Sequence, residues 1–157
     1  MANLIWKYKD KSIANLDDLA QVAGHSIDKL FGIIYGIEFE GNKFYIGKKD
    51  LWFQRELKPL QNGEKRNGHV AFINRIVDHK KTKMELVKVE SDWLTYTGSC
   101  IDTHGLKPIR KKILEVCLSR RQLTYRKNFW LFRFDVLEND KFLNSNIGGK
   151  FFRGNLA

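Results

Sequence analysis

The tightest constraint on the fold is a hairpin signature around residue 35. The run 30–40, Leu-Phe-Gly-Ile-Ile-Tyr-Gly-Ile-Glu-Phe-Glu, is rich in β-branched and aromatic residues. It is largely apolar at first and alternating at its end. Gly41-Asn42 supplies residues that tolerate turn geometry, and the run 43–48 reads as a second strand. Strands joined this closely pair as a β-hairpin. Asp50 can cap a helix over 50–60 that closes near Pro59.

Around this hairpin the chain divides as follows. Residues 1–29 read as an N-terminal appendage, with Asn15 capping a short helix over 16–23 that Gly24 ends. Residues 61–90 read as a basic insertion; Val70, Ile73 and Val77 have the spacing of a short helix, and 84–89 reads as a strand. Ser91-Asp92 predicts a short helix through Trp93 and Tyr96. Residues 108–118 alternate as a third strand. Ser119 with Gln122 forms a capping box for a helix from Arg120 to about Leu137. The tail, 142–153, is rich in Asn, Gly and Phe and reads as irregular. The order predicts an α/β (α+β) domain over 30–157, with a small mixed or antiparallel three-stranded sheet flanked by helices.

A chain of 157 residues with 43% hydrophobic side chains can bury one real core. No apolar run approaches the roughly 20 residues that span a bilayer, and the start lacks a signal-peptide stretch. The expectation is a cytoplasmic protein with no membrane association. Cys100, Cys117 and the scattered His25, His69, His79 and His104 have no zinc-site spacing.

Charge gives the first functional direction. The formal net charge is +10, but residues 1–40 carry −2 while 41–90 and 91–157 carry +6 each. A basic face is rewarded by counterion release from phosphates, so the expected partner is nucleic acid, specifically DNA. The alternative from another class is a protein-interaction module, or inhibitor, that presents a basic face to an acidic partner.

The side chains that carry chemistry cluster near the hairpin. Tyr35 and Tyr45 lie on its two strands, and strand register decides whether they share a face. Arg55 follows Gly47 by eight residues. A phenol can accept a proton or position water, and a guanidinium holds phosphate by paired hydrogen bonds. Taken alone, two hairpin tyrosines are more often packing residues. Gly47, Lys48 and Lys49, Arg66 and Arg75 in the insertion, and Lys112 on the third strand are the expected nucleic-acid contacts.

These residues resemble the GIY-YIG nuclease superfamily. Tyr45-Ile46-Gly47 repeats the second signature, and Ile33-Ile34-Tyr35 stands for the first with Ile in place of Gly. Arg55 has the spacing of the family's arginine. The run 123–130, Leu-Thr-Tyr-Arg-Lys-Asn-Phe-Trp, resembles its last helix, and Leu143-Asn144 its terminal asparagine motif. The resemblance spans about residues 30–153. It implies metal-assisted hydrolysis of DNA phosphodiester bonds with Mg²⁺ or Mn²⁺ and no small-molecule cofactor, as in phage homing-type endonucleases. Tyr35 would help generate the attacking hydroxide, Tyr45 and Arg55 would hold the phosphate, and Asn144 would support the site. A lone site would nick; a double-strand break would need a homodimer or sequential cuts.

One position departs from that pattern. The family's helix glutamate, its metal ligand, is replaced by Lys127. Leu123, Lys127, Trp130, Leu131 and Phe134 form a helical stripe, and a charge on such a stripe is unusual without a partner. An ammonium repels Mg²⁺, so no metal ligand is expected from the chain as written. Three readings follow: a non-catalytic pseudo-nuclease that binds without cutting, a disabled variant, or a ligand drawn from Glu115, Asp135 or Glu138.

Overall fold

The computed structural model describes residues 4–56, 70–77, 80–98, 105–154 and 156. They form two compact units, one of residues 1–51 and 92–157 and one of residues 52–91.

The first unit is built on a five-stranded mixed sheet. Its strands are β1 (Trp6–Tyr8), β2 (Lys11–Ile13), β3 (Gly32–Phe39), β4 (Lys43–Asp50) and β8 (Pro108–Cys117), in the order β2-β1-β8-β3-β4. The hairpin forms as expected: β3 and β4 pair antiparallel from Gly32↔Asp50 to Phe39↔Lys43. Gly41 and Asn42 turn it with φ of 77° and 59°, values that Gly and Asn reach at little steric cost. β8 pairs antiparallel with β3 on the other side, with Leu114 as an extra residue between Ile113 and Glu115.

The N-terminal segment is not an appendage. β1 runs parallel to β8, with Trp6 beside Lys111, and β2 extends the sheet further. Trp6 is fully buried and its indole N–H donates to the Trp93 carbonyl at 2.9 Å. Burying a side chain of that size contributes a few kcal/mol that three strands alone would forgo. The expected sheet of three strands therefore has five. α1 (Leu16–Ala23) starts as expected, with the Asn15 side chain accepting from the Asp18 N–H, and stops at Gly24 in left-handed backbone.

α2 (Arg120–Arg133) is capped by Ser119, whose hydroxyl accepts from the Gln122 N–H, while Gln122 accepts from the Leu118 N–H. It ends four residues before the expected Leu137, in turns that bury Val136 and Leu137. Leu123 and Leu131 pack with Ile34 and Ile46 in one apolar cluster, so α2 covers the sheet face that carries those two isoleucines. The short strands β9 (Asn146–Ile147) and β10 (Phe151–Phe152) give the tail more regularity than its composition suggests.

The second unit is a three-stranded antiparallel sheet of β5 (Trp52–Glu56), β6 (Val70–Val77) and β7 (Lys80–Glu90), ordered β5-β7-β6. The helix expected over 50–60 is replaced by β5, and the helix allowed over 70–77 by β6. Both segments are short, and partners distant in sequence decide their state over local propensity. The short helix expected from Ser91-Asp92 is a turn.

Candidate nucleic-acid site on the hairpin

Register places the two phenols together. Tyr35 lies opposite Gly47 and Tyr45 opposite Ile37, so both tyrosines and Gly47 share one face of the sheet. Their ring centroids are 6.4 Å apart. Tyr35 is buried, edge-on to Trp6 at 5.7 Å and to Tyr96 at 5.8 Å.

Gly47 makes this arrangement possible. A β-carbon there would overlap the Tyr35 hydroxyl, lie 2.5 Å from its Cζ and 3.0 Å from Tyr45 Cε1. The Tyr35 ring thus crosses the edge strand where that strand has no side chain. The residue expected to contact phosphate has a different structural role: it is the space through which a phenol reaches the sheet edge.

Lys49 continues the same face. Its ammonium meets Asp92 at 2.6 Å and lies 4.2 Å over the Tyr96 ring. The Lys49 hydrogen bond holds the Asp92 carboxyl below its ordinary range. Beneath it, Lys111 is buried under the 92–96 turn. Its Nζ donates to the Leu94 and Tyr96 carbonyls at 2.9 and 3.0 Å and lies 4.3 Å from the Trp6 ring. Burial lowers its pKa to about 8. Sequence reasoning left Lys111 and Tyr96 outside the site. The missed signal was that Lys111 has the strand parity of Tyr35, which only register reveals.

Asn144 is buried on the outer edge of β4. The 141–144 segment runs beside that strand: Phe44 N–H donates to the Lys141 carbonyl at 2.8 Å, and Leu143 N–H to the Phe44 carbonyl at 2.7 Å. The Asn144 amide then binds both backbone groups of Ile46, between Tyr45 and Gly47. Arg153 anchors this segment, donating to the carbonyls of Val136, Leu137, Asn139, Phe142 and Asn144. Nothing in the tail's composition signals that role.

Three further candidates belong with the other face of the sheet. Lys48 faces away from the phenols and its Nζ donates to Thr124 Oγ1 of α2 at 3.2 Å. Lys112 pairs with Gly36, also on that second face. Lys127 is half-buried between Leu123 and Leu131 on the α2 stripe directed at the Ile34 and Ile46 face. Arg55 and Arg75 belong to β5 and β6 of the second unit, and Arg66 lies outside the described residues.

Glu115, one of the three alternative ligands, is already engaged. Glu115 accepts two bonds from Arg126 at 2.8 and 2.9 Å and one from the Trp130 indole at 3.0 Å, which uses its oxygens. Asp135 and Glu138 follow the C-terminal end of α2, beside the Val136 and Leu137 turns. Among the described residues no three His, Cys, Asp or Glu side chains gather to hold an ion. What the hairpin face offers is phenol and ammonium donors for an anion, at a sheet edge.

Among the described residues no helix is long and apolar enough to cross a membrane. No curated protein and no solved structure matches the chain significantly. A protein-family model described as "Putative endonuclease segE, GIY-YIG domain" matches residues 17–147, a span that holds the hairpin, α2 and Asn144. The chain belongs to this SegE-type GIY-YIG family.

Proposed function

We propose that the chain is a DNA-binding nuclease of GIY-YIG type, of the phage homing kind, whose cutting is weak or absent because position 127 is Lys. Family membership supports the nuclease class and, through it, a DNA substrate. The observation that carries the reading is the pairing of Tyr35 and Tyr45 across Gly47, beside Lys49, at the edge of a basic protein's sheet.

In this reading a backbone phosphate of DNA approaches the half-buried Tyr45 and Lys49 side chains, beside the Tyr35 ring that covers Gly47. Lys49 exchanges Asp92 for the phosphate, and Tyr45 donates to a phosphate oxygen. Tyr35 is screened from bulk water by Trp6 and Tyr96 and orients the attacking water. Asn144 fixes the strand that carries Tyr45. Among the described residues no cluster of carboxylates gathers to hold an ion, and the position where the resemblance puts the ligand is Lys127; a carboxylate at that position would hold the Mg²⁺ or Mn²⁺.

The test is supercoiled plasmid with Mg²⁺, comparing the chain as written with Lys127→Glu. Nicking that rises at least about a hundredfold in Lys127→Glu supports the reading, because such an ion is worth several kcal/mol of transition-state stabilisation. Equal nicking by both forms contradicts the role given to position 127. The second reading, a pseudo-nuclease that binds without cutting, is favoured by the engagement of Glu115 with Arg126 and Trp130. It predicts salt-sensitive DNA binding and no nicking by either form.

A further inference from the structure

Three glycines lie on the hairpin strands, and the structure explains two of them. A β-carbon at Gly32 would lie 2.7 Å from Leu123 Cδ2 and 2.9 Å from the Lys49 carbonyl; one at Gly47 would overlap Tyr35. Gly36 differs. It has no positive φ, and a β-carbon there would meet only Leu114 Cδ1, at 3.9 Å. A glycine in mid-strand is destabilising relative to alanine. No packing among the described residues requires it.

What the missing side chain leaves is a groove of about 420 Å³ on the face opposite the Tyr35 ring. Gly36 and Leu114 contribute to its floor, Phe44, Phe134 and Phe142 to its walls, and Lys112 to its lining. The three phenylalanines are already arrayed: Phe44 and Phe142 are 5.9 Å apart, and Phe134 and Phe142 5.8 Å. Phe134 keeps 39% of its surface exposed. Lys141 and Arg110 add positive charge, and the single carboxylate, Glu38, is met by Arg110 at 3.4 Å.

Flat apolar walls with cations at the lip suit one chemistry above others, an aromatic base carrying a phosphate. The volume is that of a small-molecule site. The groove lies on the other face of the strand that carries Tyr45, with the 141–144 segment along the edge between them. We infer that the Gly36 groove holds an unpaired base of the nucleic acid on which the hairpin acts, stacked against Phe134 and Phe142 with its phosphate on Lys112 and Lys141. This rests on the proposed DNA reading and adds a preference for unpaired or extruded bases.

The experiment uses the full chain with Gly36→Val, which fills the groove on a strand that favours β-branched residues, and with Phe134→Ala, which removes a wall. The probes are a short oligothymidylate, a blunt duplex, thymidine monophosphate and inorganic phosphate. The expected result is oligothymidylate binding at least about tenfold weaker in both variants, with duplex binding unchanged. Thymidine monophosphate should shift the Gly36 and Phe44 amide resonances, and phosphate alone should not. Wild-type oligothymidylate affinity in both variants would overturn the subsite, as would equal shifts with phosphate alone. Those outcomes, with duplex binding intact, leave the nuclease reading standing. Failure of the unaltered chain to bind either nucleic acid at low salt overturns both.

Discussion

Asn144 grips Ile46 at both ends of its amide: Nδ2 donates to the Ile46 carbonyl at 2.8 Å, and Oδ1 accepts from the Ile46 N–H at 3.1 Å. Ile46 sits between Tyr45 and Gly47, so a residue some hundred positions away completes the edge strand on which both depend. Asn144→Ala leaves a buried N–H and C=O without their partner, and should cost about 2 kcal/mol or more. Asn144→Asp keeps the acceptor but loses the donor and buries a charge. A urea midpoint unchanged in both variants would contradict this role.

Gly47→Ala tests the close approach of Tyr35. The β-carbon cannot coexist with the phenol where it lies, so the ring must move or the strands must part. The expected cost is about 1–3 kcal/mol. In a Tyr35→Ala background the same substitution should cost far less, because the clash disappears. A double mutant whose loss equals the two separate losses would show that Tyr35 and Gly47 do not compete for space.

Arg153 offers a test of how the tail supports the hairpin. Its guanidinium satisfies five backbone carbonyls, including that of Asn144 itself. Arg153→Lys keeps the charge but supplies fewer donors in a different geometry. Hydrogen exchange at the Ile46 amide should quicken in Arg153→Lys, while exchange in α1 stays unchanged. Equal exchange at Ile46 in the two proteins would separate the tail from the edge strand.

Lys111 predicts a pH dependence. Burial lowers its pKa from 10.5 to about 8. Below pH 8 both folded and unfolded chains hold the proton, and the cost of a buried ammonium is fully present. From about pH 8 to 10.5 the unfolded chain binds more protons, so stability rises with pH, by roughly 3 kcal/mol at most. The neutral amine still has two N–H groups for the carbonyls of Leu94 and Tyr96. Urea midpoints from pH 7.5 to 10 should climb more steeply in the parent chain than in Lys111→Met; parallel slopes would contradict the assignment.

The hairpin was legible because its information is local: β-branched residues, a Gly-Asn turn and paired signatures all lie within about twenty positions. The caps at Asn15 and Ser119 were legible for the same reason. Trp6 was not, since three residues make a strand only once β8 offers an edge. Nor was β5, where Trp52-Phe53-Gln54-Arg55-Glu56 carries no strong local preference and pairs with residues 86–90. Within the candidate site, Tyr35 and Tyr45 were named from sequence, but their shared face follows from register. The sites of Lys111 and Arg153 follow from long-range contacts that no spacing announces.

The account stands on Tyr35 and the face it shares with Tyr45. The most direct measurement is nicking of supercoiled plasmid by Lys127→Glu and by Lys127→Glu with Tyr35→Phe, alongside DNA binding by each. The phenylalanine ring keeps the packing against Trp6 and Tyr96 and removes only the hydroxyl. The expected result is nicking at least about a hundredfold slower with binding unchanged, the loss that follows removal of a group acting on the attacking water. Equal nicking rates with and without the hydroxyl would place the chemistry somewhere other than the hairpin.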